Sequence, residues 1–214
     1  VKPERSLVPI AGIAKIQNVI VTRKDAPKAS FADLIALAKT KEVSYGTPGI
    51  GTNLHLLAEY VNARNSVKML HIPYSRSFAE VFPAVMRGDV DILVAGLPPM
   101  LPLIRDGRVK ALVITGTSRS RFIPDVPTFK ELGIPDLDTG GWFALCAPTG
   151  TPAQVIDKLA AEMTEILKSP ETLSRLDAQA AEPLVATPAE LTALIASESA
   201  RWGKIITDNQ IKSE

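Results

Sequence analysis

The residue types best suited to chemistry lie in two short turns. The first, Gly46-Thr-Pro-Gly-Ile-Gly-Thr-Asn53, runs from an apolar strand into a helix. Glycine lets backbone approach a ligand closely. A new helix adds unpaired N–H groups and the positive end of its dipole. With the hydroxyls of Thr47 and Thr52 and the amide of Asn53, this stretch suits a carboxylate or a phosphate. A tight strand-to-helix turn that needs glycine for positive φ accounts for the same residues, and the two readings stand level. The loop is not a Walker loop, since no Lys-Ser or Lys-Thr follows, and its glycine spacing is wrong for a dinucleotide fingerprint. The second turn, Pro73-Tyr-Ser-Arg-Ser77, ends a strand and opens another helix. Ligands bind beyond the carboxyl ends of strands in open α/β sheets. If the two turns are neighbours they form one anion-binding wall, with Arg76 as a bidentate donor. A surface turn with a solvated arginine fits equally. The candidate ligand contacts are Thr47, Gly49, Gly51, Thr52, Asn53, Tyr74, Ser75, Arg76 and Ser77.

Other chemistries find little support. His55 and His71 lie far from each other in sequence and from Cys146, the single cysteine, so no metal-ligand spacing exists. His71 reads as a strand histidine, and His55, among Leu54, Leu56 and Leu57, as a packed one. Cys146 sits in the apolar run 142–147 and reads as a buried thiol. No Gly-x-Ser-x-Gly elbow is present. No catalysis, metal or cofactor is expected.

The elements that position these turns alternate regularly. The chain has 214 residues, 46% hydrophobic and 22% charged, an ordinary globular mixture. Two strands are expected between Leu7 and Val21, broken near Lys15–Gln17. A helix starts at Ser30, capped with Asp33 in capping-box position. Strands at 43–45, 67–72, 90–95 and 109–115 then alternate with helices starting near Asn53, Ser77 and Pro98. Pro83 predicts a kink or late start, and Gly107 an αL cap. This alternation argues for an α/β layer with a mainly parallel sheet. After a loop-rich stretch and a strand at 142–147, only helices are expected. Their caps are Thr151-Pro-Ala-Gln154, Ser169-Pro170 and Thr187-Pro-Ala-Glu190. Val155, Leu159, Met163 and Ile166 line the first of these helices. Leu191, Leu194, Ile195, Trp202 and Ile205 line the last. Those stripes need a second sheet, of which only 5–13 and 142–147 are visible. The helices could collapse onto those fragments, pack against another chain, or cover a segment missing from this sequence, and of the three association with another chain is the expected one.

Charge excludes one partner class. Lys plus Arg is 24 and Asp plus Glu 23, for a net charge of +1, so nothing attracts a nucleic-acid backbone. No apolar run reaches the roughly 20 residues of a membrane helix. The chain begins Val1-Lys-Pro3 with no signal-peptide pattern, which predicts a processed or partial chain.

The motifs taken in order resemble a known family. Tyr45-Gly-Thr-Pro-Gly-Ile-Gly-Thr-Asn-Leu-His55-Leu is similar to the glycine loop of the Bug family, the extracytoplasmic solute receptors of tripartite tricarboxylate transporters. His71-Ile-Pro-Tyr74, Gly88-Asp-Val-Asp91, Pro124-Asp-Val-Pro-Thr128 with Glu131 and Gly133, Trp142-Phe143, Ala147-Pro-Thr-Gly-Thr-Pro152 and Trp202-Gly-Lys204 also match, in family order. The resemblance implies an α/β fold of the type II periplasmic-binding-protein class, one complete lobe plus an incomplete second lobe. It places 18–138 as the complete lobe, and 1–17 with 139–214 as crossover strands and remaining helices of the other. It implies a periplasmic receptor, not an enzyme, that binds a small organic acid and hands it to membrane permease subunits, the signal peptide and N-terminal part being absent from this chain. Departures from the family pattern occur at Thr47-Pro48, Ser75-Arg76 and Ala95-Gly-Leu97, at the expected ligand wall. A ligand-sensing domain of a regulator, or an α/β enzyme acting on a carboxylate with His55 as base, are the alternatives.

Overall fold

A computed structural model describes residues 6–26, 30–74, 78–137 and 140–211. They divide into two compact units. The larger comprises residues 17–141 with 205–211, and the smaller residues 6–16 with 142–204. Residues 205–211, expected with the smaller unit, therefore fall in the larger.

The larger unit alternates strands and helices: β2 (Asn18–Arg23), α1 (Phe31–Ala38), β3 (Ser44–Thr47), α2 (Asn53–Asn65), β4 (Leu70–Pro73), α3 (Phe78–Arg87), β5 (Ile92–Gly96), α4 (Leu97–Arg105) and β6 (Val109–Ile114). Its five-stranded sheet has the order β4-β3-β5-β2-β6. β3 runs parallel to β4 and β5, whereas β2 is antiparallel to both β5 and β6. The expected mainly parallel layer is thus a mixed sheet with β2 alone reversed. β2 sits between strands that come much later in the chain. No local connection links it to them, so the sequence alternation does not report its direction. Val19–Val21, Ile92–Ala95 and Leu112–Ile114 are buried to 3% exposure or less, as expected of strands covered on both faces.

Local chemistry sets most element ends. Ser30 caps α1 by accepting from the Asp33 N–H, and its hydroxyl donates back to the Asp33 carboxylate. Gly107 is left-handed at φ 63°, just after α4. Pro83 sits inside α3 rather than delaying it. β4 begins at Leu70, later than expected. The Val67 N–H donates to the Asn62 carbonyl and the Met69 N–H to the Asn62 side chain, which wraps 67–69 onto the end of α2.

The smaller unit holds β1 (Leu7–Ile16), β7 (Gly141–Pro148), α5 (Ala153–Lys168), α6 (Pro170–Ala178), β8 (Ala181–Pro183) and α7 (Pro188–Asp208), though the start of β7 and the end of α7 lie in the larger unit. Its sheet has the order β7-β1-β8. β8 corrects the expectation of helices only after residue 147. It is three residues long and ends on proline, too short for any pattern to show, yet it pairs antiparallel with Ala14–Ile16. α5 packs on Ile10, Ala11 and Ala147 through Ile156, Ala160 and Met163. The expected stripe is therefore rotated, leaving Val155, Leu159 and Ile166 exposed. The apolar arc of this helix is broad, with Val155, Leu159 and Ile166 on one flank and Ile156, Ala160 and Leu167 on the other, so periodicity alone does not select the flank that is buried. Thr151 does not form the expected capping box. Its hydroxyl donates to the Pro148 carbonyl at 2.8 Å, and Pro152 takes the N-cap position with no side-chain bond. Ser169 and Thr187 do cap their helices, the latter reciprocally with Glu190.

Candidate functional site

Parallel pairing of β3 and β4 aligns Thr47 with Pro73, so the two predicted turns leave the same end of the sheet side by side. The Tyr74 N–H donates to the Thr47 carbonyl at 2.9 Å. The Tyr74 ring lies against Gly46: a Cβ there would come within 3.4 Å of both that ring and Val81. Burial, followed by the negative charge of Asp89, raises the Tyr74 hydroxyl pKa. Ser75, Arg76 and Ser77 lie outside the described residues.

The glycine loop spends much of its own donor capacity internally. Thr47 is fully buried. Its hydroxyl lies 3.3 Å from the Gly49 carbonyl and 2.7 Å from His71 Nε2, and it accepts from the Gly49 N–H. The Thr52 hydroxyl donates to the Gly49 carbonyl at 2.8 Å and accepts from the His55 N–H. The Gly51 N–H donates to His55 Nδ1 at 3.3 Å, with Gly51 left-handed at φ 75°. Thr47 and the Gly49 and Gly51 amides thus brace the loop through these hydrogen bonds. The reason is that a glycine turn folded this tightly must satisfy its own polar groups. The main-chain N–H groups of Thr52, Asn53 and Leu54, at the head of α2, have no acceptor among the described residues. The Asn53 side chain is exposed beside them.

Sequence reasoning passed over the two histidines as ordinary packing, and the structure stacks them. The His55 and His71 rings are 4.2 Å apart at 24°, and His71 lies 4.8 Å from Tyr45 at 16°. Tyr45 is fully buried and its hydroxyl donates to Glu59, which also accepts from the Asn62 amide. Burial raises the Tyr45 pKa, reinforced by the Glu59 hydrogen bond. Burial, with the neighbouring His55, lowers His71 to about 4, so its ring is neutral at pH 7. His55, His71 and Glu59 line an open groove of about 720 Å³, together with Leu70, Lys68 and Ile211. No sequence spacing signals this stack, because its members come from β3, α2 and β4.

A third strand end adds no donors. β5 closes at Gly96, the N-cap of α4. The Leu97 N–H donates to the Gln17 carbonyl, and Pro98 and Pro99 have none to offer. Cys146 is half-buried, more open than the expected buried thiol. Among the described residues no three His, Cys, Asp or Glu side chains are grouped to hold a metal. No described helix is long and apolar enough to cross a membrane.

The model of the tripartite tricarboxylate transporter family receptor matches residues 1–211, so the chain belongs to that family, whose members are receptors rather than enzymes. BugT of Bordetella pertussis is 33% identical over 208 residues, covering 96% of this chain and 64% of that protein. An adipate-bound protein of R. palustris superposes with a TM-score of 0.91 at 28% identity, covering 98% of this chain and 71% of that one. MatC from Rhodopseudomonas palustris, with bound malate, gives 0.84 at 26%, covering 94% and 69%. The fold is accordingly α/β and of the periplasmic binding-protein type. The chain spans 62% to 64% of the length of three curated relatives it matches.

Proposed function

We propose that this chain forms the ligand-binding part of a periplasmic solute receptor that captures a small carboxylate and delivers it to the membrane permease of a tripartite tricarboxylate transporter. The observation that carries the reading is the row of three unaccepted main-chain N–H groups, Thr52 to Leu54, heading the thirteen-residue helix of a receptor-family member. A carboxylate seated there takes charge-assisted hydrogen bonds and the favourable end of the helix dipole. The exposed Asn53 amide flanks it. Ser75, Arg76 and Ser77, the other candidate contacts from the sequence, lie outside the described residues. Adipate and malate, the acids bound by the two R. palustris proteins, are the natural probes.

Calorimetry with adipate and with malate tests the proposal. Asn53→Asp places a carboxylate beside the bound anion, and affinity should fall tenfold or more. The fold should hold, because an acidic residue in the first turn suits the helix dipole. Absence of binding to either acid, or unchanged affinity in the variant, would overturn the reading.

A further inference from the structure

The head of α2 departs from an ordinary capped helix at one residue. In a capping box the N-cap side chain accepts from the third helical N–H, and the third residue's side chain reaches back to the N-cap N–H. Both donors are then consumed, as in α7, where Glu190 accepts from the Thr187 N–H at 2.8 Å. In α2 the N-cap is Thr52, and its hydroxyl accepts from the His55 N–H. The His55 ring, however, reaches one residue further back and accepts from the Gly51 N–H. The Thr52 N–H is left with no acceptor among the described residues.

The ring has little freedom to do otherwise. His55 is 5% exposed and stacked on His71, which is itself stacked on Tyr45 and hydrogen-bonded to Thr47. Accepting at Nδ1 places the proton of the neutral ring on Nε2. The short, rigid imidazole delivers its acceptor to Gly51, whereas the longer, flexible side chain of Gln or Glu is the type that closes an ordinary box on the N-cap N–H.

We propose that His55 is a positioning residue of the carboxylate site: by taking the Gly51 N–H instead of the Thr52 N–H, it keeps the Thr52 amide open for the ligand. The role of that amide rests on the receptor reading above, but the choice of hydrogen-bond partner does not, and the two fail separately. His55→Gln should complete the ordinary box. Protection from hydrogen exchange should then move from the Gly51 amide to the Thr52 amide, each changing by roughly two- to tenfold, as expected for one hydrogen bond. Adipate affinity should fall by a similar factor. His55→Asn, whose side-chain oxygen takes the place of Nδ1, should keep the unmodified exchange pattern and affinity.

The experiment combines amide exchange by NMR on the 214-residue chain and both variants with imidazole nitrogen spectra of the unmodified protein. An Nδ1–H tautomer of His55, or a Gly51 amide that exchanges as fast as Thr52 before any substitution, would overturn the proposal, even if a variant failed to fold. So would a transfer of protection in His55→Gln that left adipate affinity unchanged. If the unmodified chain binds no adipate, the carboxylate reading fails, and with it the ligand role assigned to the Thr52 amide.

Discussion

Acidification probes how β4 and the glycine loop are held together, through His71. Burial, with the neighbouring His55, moves this ring from the ordinary 6.5 to about 4. In the unfolded chain the ring titrates normally. Between pH 6.5 and 4 the unfolded state therefore binds a proton that the folded state refuses. The contribution to stability is complete above 6.5, is lost progressively as pH falls, and levels off below 4. At about 1.36 kcal/mol per pH unit of displacement the ceiling is about 3.4 kcal/mol. The ring borders an open groove, and solvent screening brings the expected loss to about 2 kcal/mol. His71→Gln supplies the control, since its amide nitrogen takes the place of Nε2 beside Thr47 and does not titrate. Unfolding in urea is followed by the tyrosine signal in near-ultraviolet circular dichroism. Tyr45, Tyr60 and Tyr74 all belong to the larger unit, and Trp142 and Trp202 to the smaller. The unmodified chain should lose about 2 kcal/mol more than the variant across this window. Glu131 and Glu190 interfere little. Hydrogen bonds from the Thr128 and Thr187 N–H groups lower their pKa values, so their contributions are lost as pH falls below the ordinary carboxylate value of 4.5. Identical pH slopes in the two proteins would refute the reasoning.

Further consequences follow from single contacts. Thr47→Val keeps the shape but leaves the buried Gly49 N–H and His71 unpaired, and should cost about 1–3 kcal/mol in the larger unit by the same tyrosine signal. Thr187→Ala removes the N-cap of α7 and should cost about 1 kcal/mol, read from tryptophan fluorescence. Val155, Leu159 and Ile166 are 39% to 50% exposed along α5. Light scattering on the 214-residue chain should therefore find self-association, and a monomer at high concentration would count against it.

What was legible in the sequence was local. Ser30, Ser169 and Thr187 announced their helices because a cap needs only a hydroxyl and an N–H two or three residues away. Apolar runs marked β2, β5 and β6 because strands covered on both faces cannot alternate. Gly46 to Asn53 was readable as a strand-to-helix turn, and the ordered motifs pointed to the family. Tertiary structure alone decided the rest. The reversal of β2, the three-residue β8 and the buried face of α5 each depend on partners far along the chain. The same holds at the site. Thr47 and the amides of Gly49 and Gly51 looked like ligand donors, but in the folded loop their hydrogen bonds turn inward. His55 and His71 looked like unrelated packing residues, because only the parallel pairing of β3 with β4 brings α2 and two strands close enough to stack three rings. A sequence specifies what each residue can donate, accept or bury. Which partner it meets is settled by strand pairings that no local pattern encodes.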